Sequence, residues 1–307
     1  MKSKKSDCLY EAGAILGEGP LWDHRNNVLF WIDISRPAVF CHDLENGQIG
    51  HWPMPSAVGA IGLSYDNKLL VALEDQHICL LDLQTSDLQA IANPIAVYGM
   101  KDVPGRYNDG RVDAKGNFWV GWLSHDRKSP GALFRIGSNG NVKKILDDPL
   151  ALNGIGWSLD GTVMYVTDSH INTIWAYDCD LKNGELKNRK TMAYQGRELG
   201  IFDGLCVDLD GNIWSALYGG GAVIKLSPDK TLPNRSEMAR IDLPVNLVTS
   251  CCFAGDYLET MVITTAIRNQ SEAELKKYPL SGSLFRVQMP VPGLRENIFA
   301  YADNNFC

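Results

Sequence analysis

Apolar and polar residues alternate along this chain in short runs, and the runs return in one frame. The frame is a turn of the Asp-x-x-Gly kind followed by an apolar, aromatic-rich strand. Anchoring each copy at the apolar residue before the turn gives Trp22, Leu63, Val112, Trp157, Val207 and Phe253. These anchors are separated by 41, 49, 45, 50 and 46 residues. β-branched and aromatic side chains fill Val28 to Ile34, Leu69 to Leu73, Phe118 to Leu123, Val163 to Thr167, Ile213 to Leu217 and Met261 to Thr265, which predicts strands. Turn chemistry precedes them at Asp66-Asn67, Gly116-Asn117, Asp160-Gly161 and Asp210-Gly211-Asn212. One short helix is expected, from Ser271 to Lys277.

Short strands repeating every 40 to 50 residues or so mark propeller blades. Six copies predict an all-β, six-bladed β-propeller. A β-sandwich with regular turns is the competing architecture, and six aligned frames speak against it. No linker-like Pro/Gly/Ser stretch divides the chain, so residues 1–307 are expected to form a single β-propeller domain. The apolar segment Cys8 to Ile15 is expected to add the outer strand to the last blade, because pairing the termini removes exposed edges. The tail, Glu296 to Cys307, reads as a surface segment.

Four residues before each anchor stand Glu18, Gly59, Asn108, Asn153, Asp203 and Thr249. Equivalent positions in repeats around an axis point at that axis, so Glu18, Asn108, Asn153 and Asp203 should converge. Two carboxylates and two amides in a central channel suit a hard divalent cation with positions open to water. Such an ion polarises carbonyls and lowers the pKa of bound water. The alternative is that these side chains cap strands by bonding to nearby backbone, as Asn and Asp often do. Arg106 lies two residues before Asn108, so in an extended segment both face the same way. A guanidinium there suits a polyhydroxylated or anionic substrate. His125 and Asp126 follow Phe118 to Leu123 and are placed at the channel mouth.

Composition narrows the function classes. The net charge of -7, with no basic run, argues against nucleic acid or an anionic membrane as partner. No apolar stretch follows the lysines of the first ten residues, and none reaches about 18 residues, so neither an export signal nor a membrane span is expected. Eight cysteines without a C-x-x-C pair read as free thiols in a reducing, cytoplasmic setting. There is no G-x-S-x-G elbow, phosphate loop or H-E-x-x-H. Asp208-Leu209-Asp210-Gly211 is read as a hairpin turn rather than a calcium loop.

The segments Leu16-Gly17-Glu18-Gly19-Pro20-Leu21-Trp22, Arg106-Tyr107-Asn108-Asp109-Gly110-Arg111-Val112-Asp113, Asn153-Gly154-Ile155-Gly156-Trp157-Ser158 and Asp203-Gly204 resemble the regucalcin, gluconolactonase and luciferin-regenerating-enzyme family. Val248 to Phe253 is similar to a late segment of that family. The resemblance implies a propeller with one divalent ion in the channel, held by Glu18, Asn153 and Asp203. Calcium, magnesium, manganese, zinc and iron(II) all remain open. It implies that Arg106 and Asn108 contact substrate, with Asn108 also within reach of the ion, and that Asp203 is the general base. Asp126 falls where relatives carry a substrate-contacting glutamate. The implied reaction is hydrolysis of a sugar lactone such as gluconolactone or a pentonolactone. An organophosphate or ester hydrolase and a non-enzymatic metal-binding propeller are the alternatives. The chain departs from the family pattern at Phe202, where proline is common, and at Gly121-Trp122-Leu123, where Gly-Thr-Met is common. Both departures are expected near the pocket.

Overall fold

The computed structural model describes residues 6–75, 77–126, 129, 131–148, 151–228 and 237–301. It is a six-bladed β-propeller with four antiparallel strands in each blade. The innermost strands are Gly17–Asp23, Val58–Ser64, Gly105–Val112, Leu152–Trp157, Ile201–Val207 and Val248–Ala254. We number the blades 1 to 6 in that order. The apolar runs that mark the repeat most clearly in sequence, such as Phe118–Ser124, are the second strands, so they do not line the axis. The motif residues themselves form the channel wall. Asp7–Tyr10 pairs antiparallel with Leu284–Gln288 as the fourth strand of blade 6.

Blades are held by the apolar faces they turn to each other. Leu21, Phe30 and Ile32 of blade 1 pack with Ile61, Leu63 and Val71 of blade 2. Tyr107, Val120 and Trp122 of blade 3 pack with Leu70, Ala72 and Leu80 of blade 2. Each such aliphatic or aromatic side chain contributes roughly 1.5–3 kcal/mol when buried. Backbones also approach closely beside the axis. A Cβ at Gly59 would stand 1.9 Å from the Tyr107 carbonyl oxygen, so only glycine fits there.

The Asp-x-x-Gly turns are structural. Asp208 is fully buried; its Oδ1 accepts from the Asp210 and Asn212 amides, and its Oδ2 from Trp214 Nε1 at 3.0 Å. Asp113 repeats this pattern with Lys115, Asn117 and Trp119 in blade 3. The Asp208 turn is thus a hairpin stitched to its own blade. The single short helix expected near the C-terminus is Glu272–Lys277, with a capping box between Ser271 and Glu274. A further short helix, Pro94–Val97, is not among the expected elements; Asn93 caps it by accepting from the Ala96 amide, and Pro94 opens it. The seven described cysteines are free, and Cys251 and Cys252 are fully buried. No described helix is long and apolar enough to cross a membrane.

The tail differs from the surface segment expected of it. Ile298–Phe299 pairs parallel with Leu63 and Ser64 on the axis side of blade 2, and Phe299 is fully buried. On the way there, Pro292 accepts from the Leu209 amide of blade 5, and Asn297 Nδ2 donates to the Val112 carbonyl of blade 3. The segment therefore straps the C-terminal ends of the inner strands and covers one end of the channel. Residues 302–307 lie outside the described residues.

Candidate active site

Every inner strand breaks register at the same place. The ladders to the second strands shift between Glu18 and Leu21, Val58 and Ala60, Asn108 and Gly110, Leu152 and Ile155, Phe202 and Leu205, and Val248 and Ser250. Such bulges bend the strand and re-aim a side chain. They coincide with the repeat position four residues before each anchor. Glycine follows directly in three blades, at Gly19, Gly154 and Gly204, and one residue later in a fourth, at Gly110. A Cβ on Gly154 would lie 2.6 Å from the Leu205 amide nitrogen of the next blade, so glycine is required where the bulged strands meet.

The bulges bring Glu18, Asn108, Asn153 and Asp203 into one cavity of about 320 Å³ at the uncovered end of the channel. Arg106 also lines it. Gly59 and Thr249, the equivalent residues of blades 2 and 6, do not. Thr249 instead donates to the Gly17 carbonyl at 2.6 Å and ties blade 6 to blade 1.

Each side chain is held differently. Arg106 Nη1 donates to Asn108 Oδ1 at 2.6 Å and to the Tyr107 carbonyl at 3.0 Å. Asn108 Nδ2 donates to the Leu152 carbonyl at 2.7 Å. Both ends of Asn108 are therefore engaged, and its present role is to orient Arg106. Asn153 Nδ2 donates to Ser169 Oγ at 3.1 Å, and that hydroxyl donates on to the Phe202 carbonyl at 2.6 Å. This chain fixes the Asn153 amide and leaves its oxygen as the atom able to coordinate. Glu18 Oε2 takes one 3.2 Å bond from the Gly19 amide.

Asp203 is the exceptional group. It is only 7% exposed, and its Oδ1 has no hydrogen-bond partner among the described residues. Burial, then the charges of Glu18 and Asp109, push its pKa well above the carboxylate range. Burial, then Asp109, raises Glu18 to about 8. Two buried carboxylates without a cation are therefore driven toward their protonated forms. Among the described residues no three His, Cys, Asp or Glu side chains gather to hold a metal. The donor set here is two carboxylates with amide oxygen, a chemistry that fits a hard divalent ion.

Other expected positions fall elsewhere. Asp126 is exposed and does not line the cavity. Its carboxylate accepts from Ser124 Oγ at 2.7 Å and from the Ser129 amide and hydroxyl, so it is spent on its own loop. His125 faces Glu74 at 3.3 Å, away from the cavity lining. The two departures from the family pattern are core residues: Phe202 and Trp122 are 1% exposed, and Trp122 packs edge-on against Tyr107. Leu123 is the member of that segment that reaches the cavity. Sequence reasoning missed Ser169, Arg197, Tyr218 and Arg268, which complete the wall. They sit on loops or strand ends outside the repeated frame, so the period carried no signal for them.

Known proteins share this sequence pattern and fold. Residues 16–267 match the model of the SMP-30/gluconolactonase/LRE-like region. The chain is 33% identical to a 6-deoxy-6-sulfogluconolactonase of Pseudomonas putida, over 95% of this chain and 98% of that one. It is 30% identical to human regucalcin, over 94% of this chain and 95% of the relative. The solved structure of a regucalcin from Agrobacterium tumefaciens, described as a calcium-binding protein, superposes with a TM-score of 0.88 at 26% identity, covering 96% of this chain and 97% of that one. The match spans Glu18, Asn108, Asn153 and Asp203, and the chain belongs to the SMP-30/gluconolactonase/LRE-like family.

Proposed function

We propose that the protein hydrolyses a sugar lactone to its open-chain acid, with a divalent ion held by Glu18, Asn153 and Asp203. The observation that carries this reading is the buried, unpartnered Oδ1 of Asp203 beside a second buried carboxylate. An orphaned buried acceptor of this kind calls for a partner that the protein itself does not provide. The relatives support the chemistry: one is a sugar lactonase by name, and another is described as binding calcium.

When bound, the ion supplies Lewis acidity toward the lactone carbonyl. The chain does the rest. The Arg106–Asn108 pair, fixed on the Leu152 carbonyl, presents a guanidinium to the sugar hydroxyls. Asp203 takes a proton from the attacking water at a carboxylate oxygen. Water adds to the carbonyl carbon, the ring C–O bond breaks, and the ring oxygen leaves as a hydroxyl with a proton returned to it. With an ion bound beside it, Asp203 would give up the proton that burial otherwise holds and so could serve as base at neutral pH.

The test is a pH-stat assay of chelator-treated protein on glucono-, galactono-, xylono- and arabinonolactone, with calcium, magnesium, manganese, zinc or iron(II) restored in turn. Turnover that depends on one of these ions is expected. Rates equal to spontaneous hydrolysis with every ion overturn the reading.

A further inference from the structure

The cavity holds more positive charge than a neutral sugar lactone needs. Glu18 and Asp203 are the only carboxylates among its described lining residues, and both are buried. Three guanidiniums share the same wall: Arg106, Arg197 and Arg268. Arg106 is committed to Asn108 and the Tyr107 carbonyl. The other two are exposed and enter from the loops of blades 5 and 6. Neither makes an ion pair with any described carboxylate.

Arg197 is held in place. Its Nη1 donates to the carbonyls of Ser169, at 3.3 Å, and His170, at 3.0 Å. Those bonds occupy one nitrogen and leave the rest of the fork without an acceptor among the described residues. Arg268 has no side-chain hydrogen bond to any described residue, although its backbone amide is pinned to the Ile15 carbonyl at 2.9 Å. A chain with net charge -7 has no general reason to concentrate unpaired arginines at one cavity. A guanidinium with free donors matches a phosphate, sulfonate or carboxylate in a forked geometry.

We infer that Arg197 and Arg268 form an anion subsite at the rim, so that the preferred substrate is a lactone carrying a second, permanently anionic group remote from its ester. This rests on the lactonase reading of the same cavity and names the substrate class. Phosphate, sulfonate and carboxylate share the chemistry, and the experiment separates them.

The protein, supplied with calcium or manganese, is titrated calorimetrically with gluconate and with gluconate bearing a phosphate, a sulfonate or a carboxylate at C6. Every acid in the set carries the C1 carboxylate, so the ratio to gluconate reports the remote charge alone. Wild type, Arg197→Gln and Arg268→Gln are compared, with kcat/KM measured on the corresponding lactones. At least one C6 anion is expected to bind about tenfold more tightly than gluconate. Each substitution is expected to lower that ratio about threefold or more, with an unchanged melting temperature because both side chains are exposed. Equal affinity for all four acids overturns the inference, as does a preference that survives both substitutions. If the affinity ratio behaves as expected while no lactone is hydrolysed, the anion subsite stands and the lactonase reading falls.

Discussion

The two ends of the central channel are made by the same six strands and treat their charges in opposite ways. At the end covered by the tail, Arg111 meets Glu296 at 3.4 Å, and both are largely buried. Burial opposes the Arg111 charge, but the carboxylates of Glu296 and Asp109 outweigh it and push its pKa up. At the open end, Asp203 has an oxygen with no partner, and Glu18 has one weak backbone bond. The bulge in blade 3 divides the two regimes. Asn108 lines the open cavity, while Asp109, at φ 47°, borders Gly110 and Arg111 near the tail. Charges that hold the fold together are matched within the chain. Charges left unmatched in a cavity await a cation or a substrate.

Substitution at the two ends should therefore separate activity from stability. Asp203→Asn is expected to lower lactone turnover by about 10³-fold, because it removes the carboxylate proposed as both base and metal ligand. The same change removes a buried carboxyl that folding at pH 8 must either protonate or leave charged without a partner, so the chelator-treated protein should melt higher than wild type at that pH. Arg111→Met at the covered end is expected to cost about 3–5 kcal/mol in a denaturant titration, because Glu296 loses its ion-pair partner in a largely buried setting. Its turnover should stay within about threefold of wild type. Loss of turnover in Arg111→Met without loss of stability would break the comparison.

pH sharpens the contrast. In the metal-free protein Glu18 is raised from 4.5 to about 8, first by burial and then by Asp109. A carboxyl raised on folding supports the folded state below its unfolded pKa, and that support fades as pH climbs through the folded value. Chelator-treated protein should lose a few kcal/mol between about pH 5 and pH 8. Adding the divalent ion should restore more stability at pH 8 than at pH 5, since ion and protons compete for the same oxygens. Denaturant midpoints at the two pH values, with and without the ion, decide this. A pH-independent gain would mean that the ion binds elsewhere.

Much of this was legible in the chain because a repeat makes position meaningful. The six anchors fix the blade count, and the residue four places earlier identifies Glu18, Asn108, Asn153 and Asp203 as neighbours. What period alone missed follows from local chemistry. The bulges were announced only by dipeptides such as Asn153-Gly154 and Asp203-Gly204, which also read as ordinary turn signals. Arg197 and Arg268 lie in connections that differ from blade to blade, so no copy predicts another. The tail gave no strand pattern, since Ile298–Phe299 is two residues long and is fixed by Leu63, Ser64 and Val112 rather than by its own propensity. Phe202 and Trp122 looked like pocket residues because their neighbours Asp203 and Leu123 are. In a strand, adjacent side chains take opposite faces, and these two point into the core between blades.

The smallest effect is expected at Asp126, where resemblance and geometry part. Sequence position assigns it a substrate contact. In the structure its Oδ1 accepts from Ser124 and the Ser129 amide, and its Oδ2 from the Ser129 hydroxyl, leaving the carboxylate to brace an exposed loop. Asp126→Ala should change kcat/KM for any lactone by no more than about twofold and stability by less than about 1 kcal/mol, as for other exposed loop positions. A KM increase of tenfold with unchanged kcat would show that the loop swings its carboxylate over the cavity when substrate binds. The open end would then gain a third carboxylate opposite Arg197 and Arg268, and the preference for anionic lactones would have to weaken with it. Measuring Asp126→Ala on neutral and anionic lactones together therefore tests the loop and the charge balance of the rim at once.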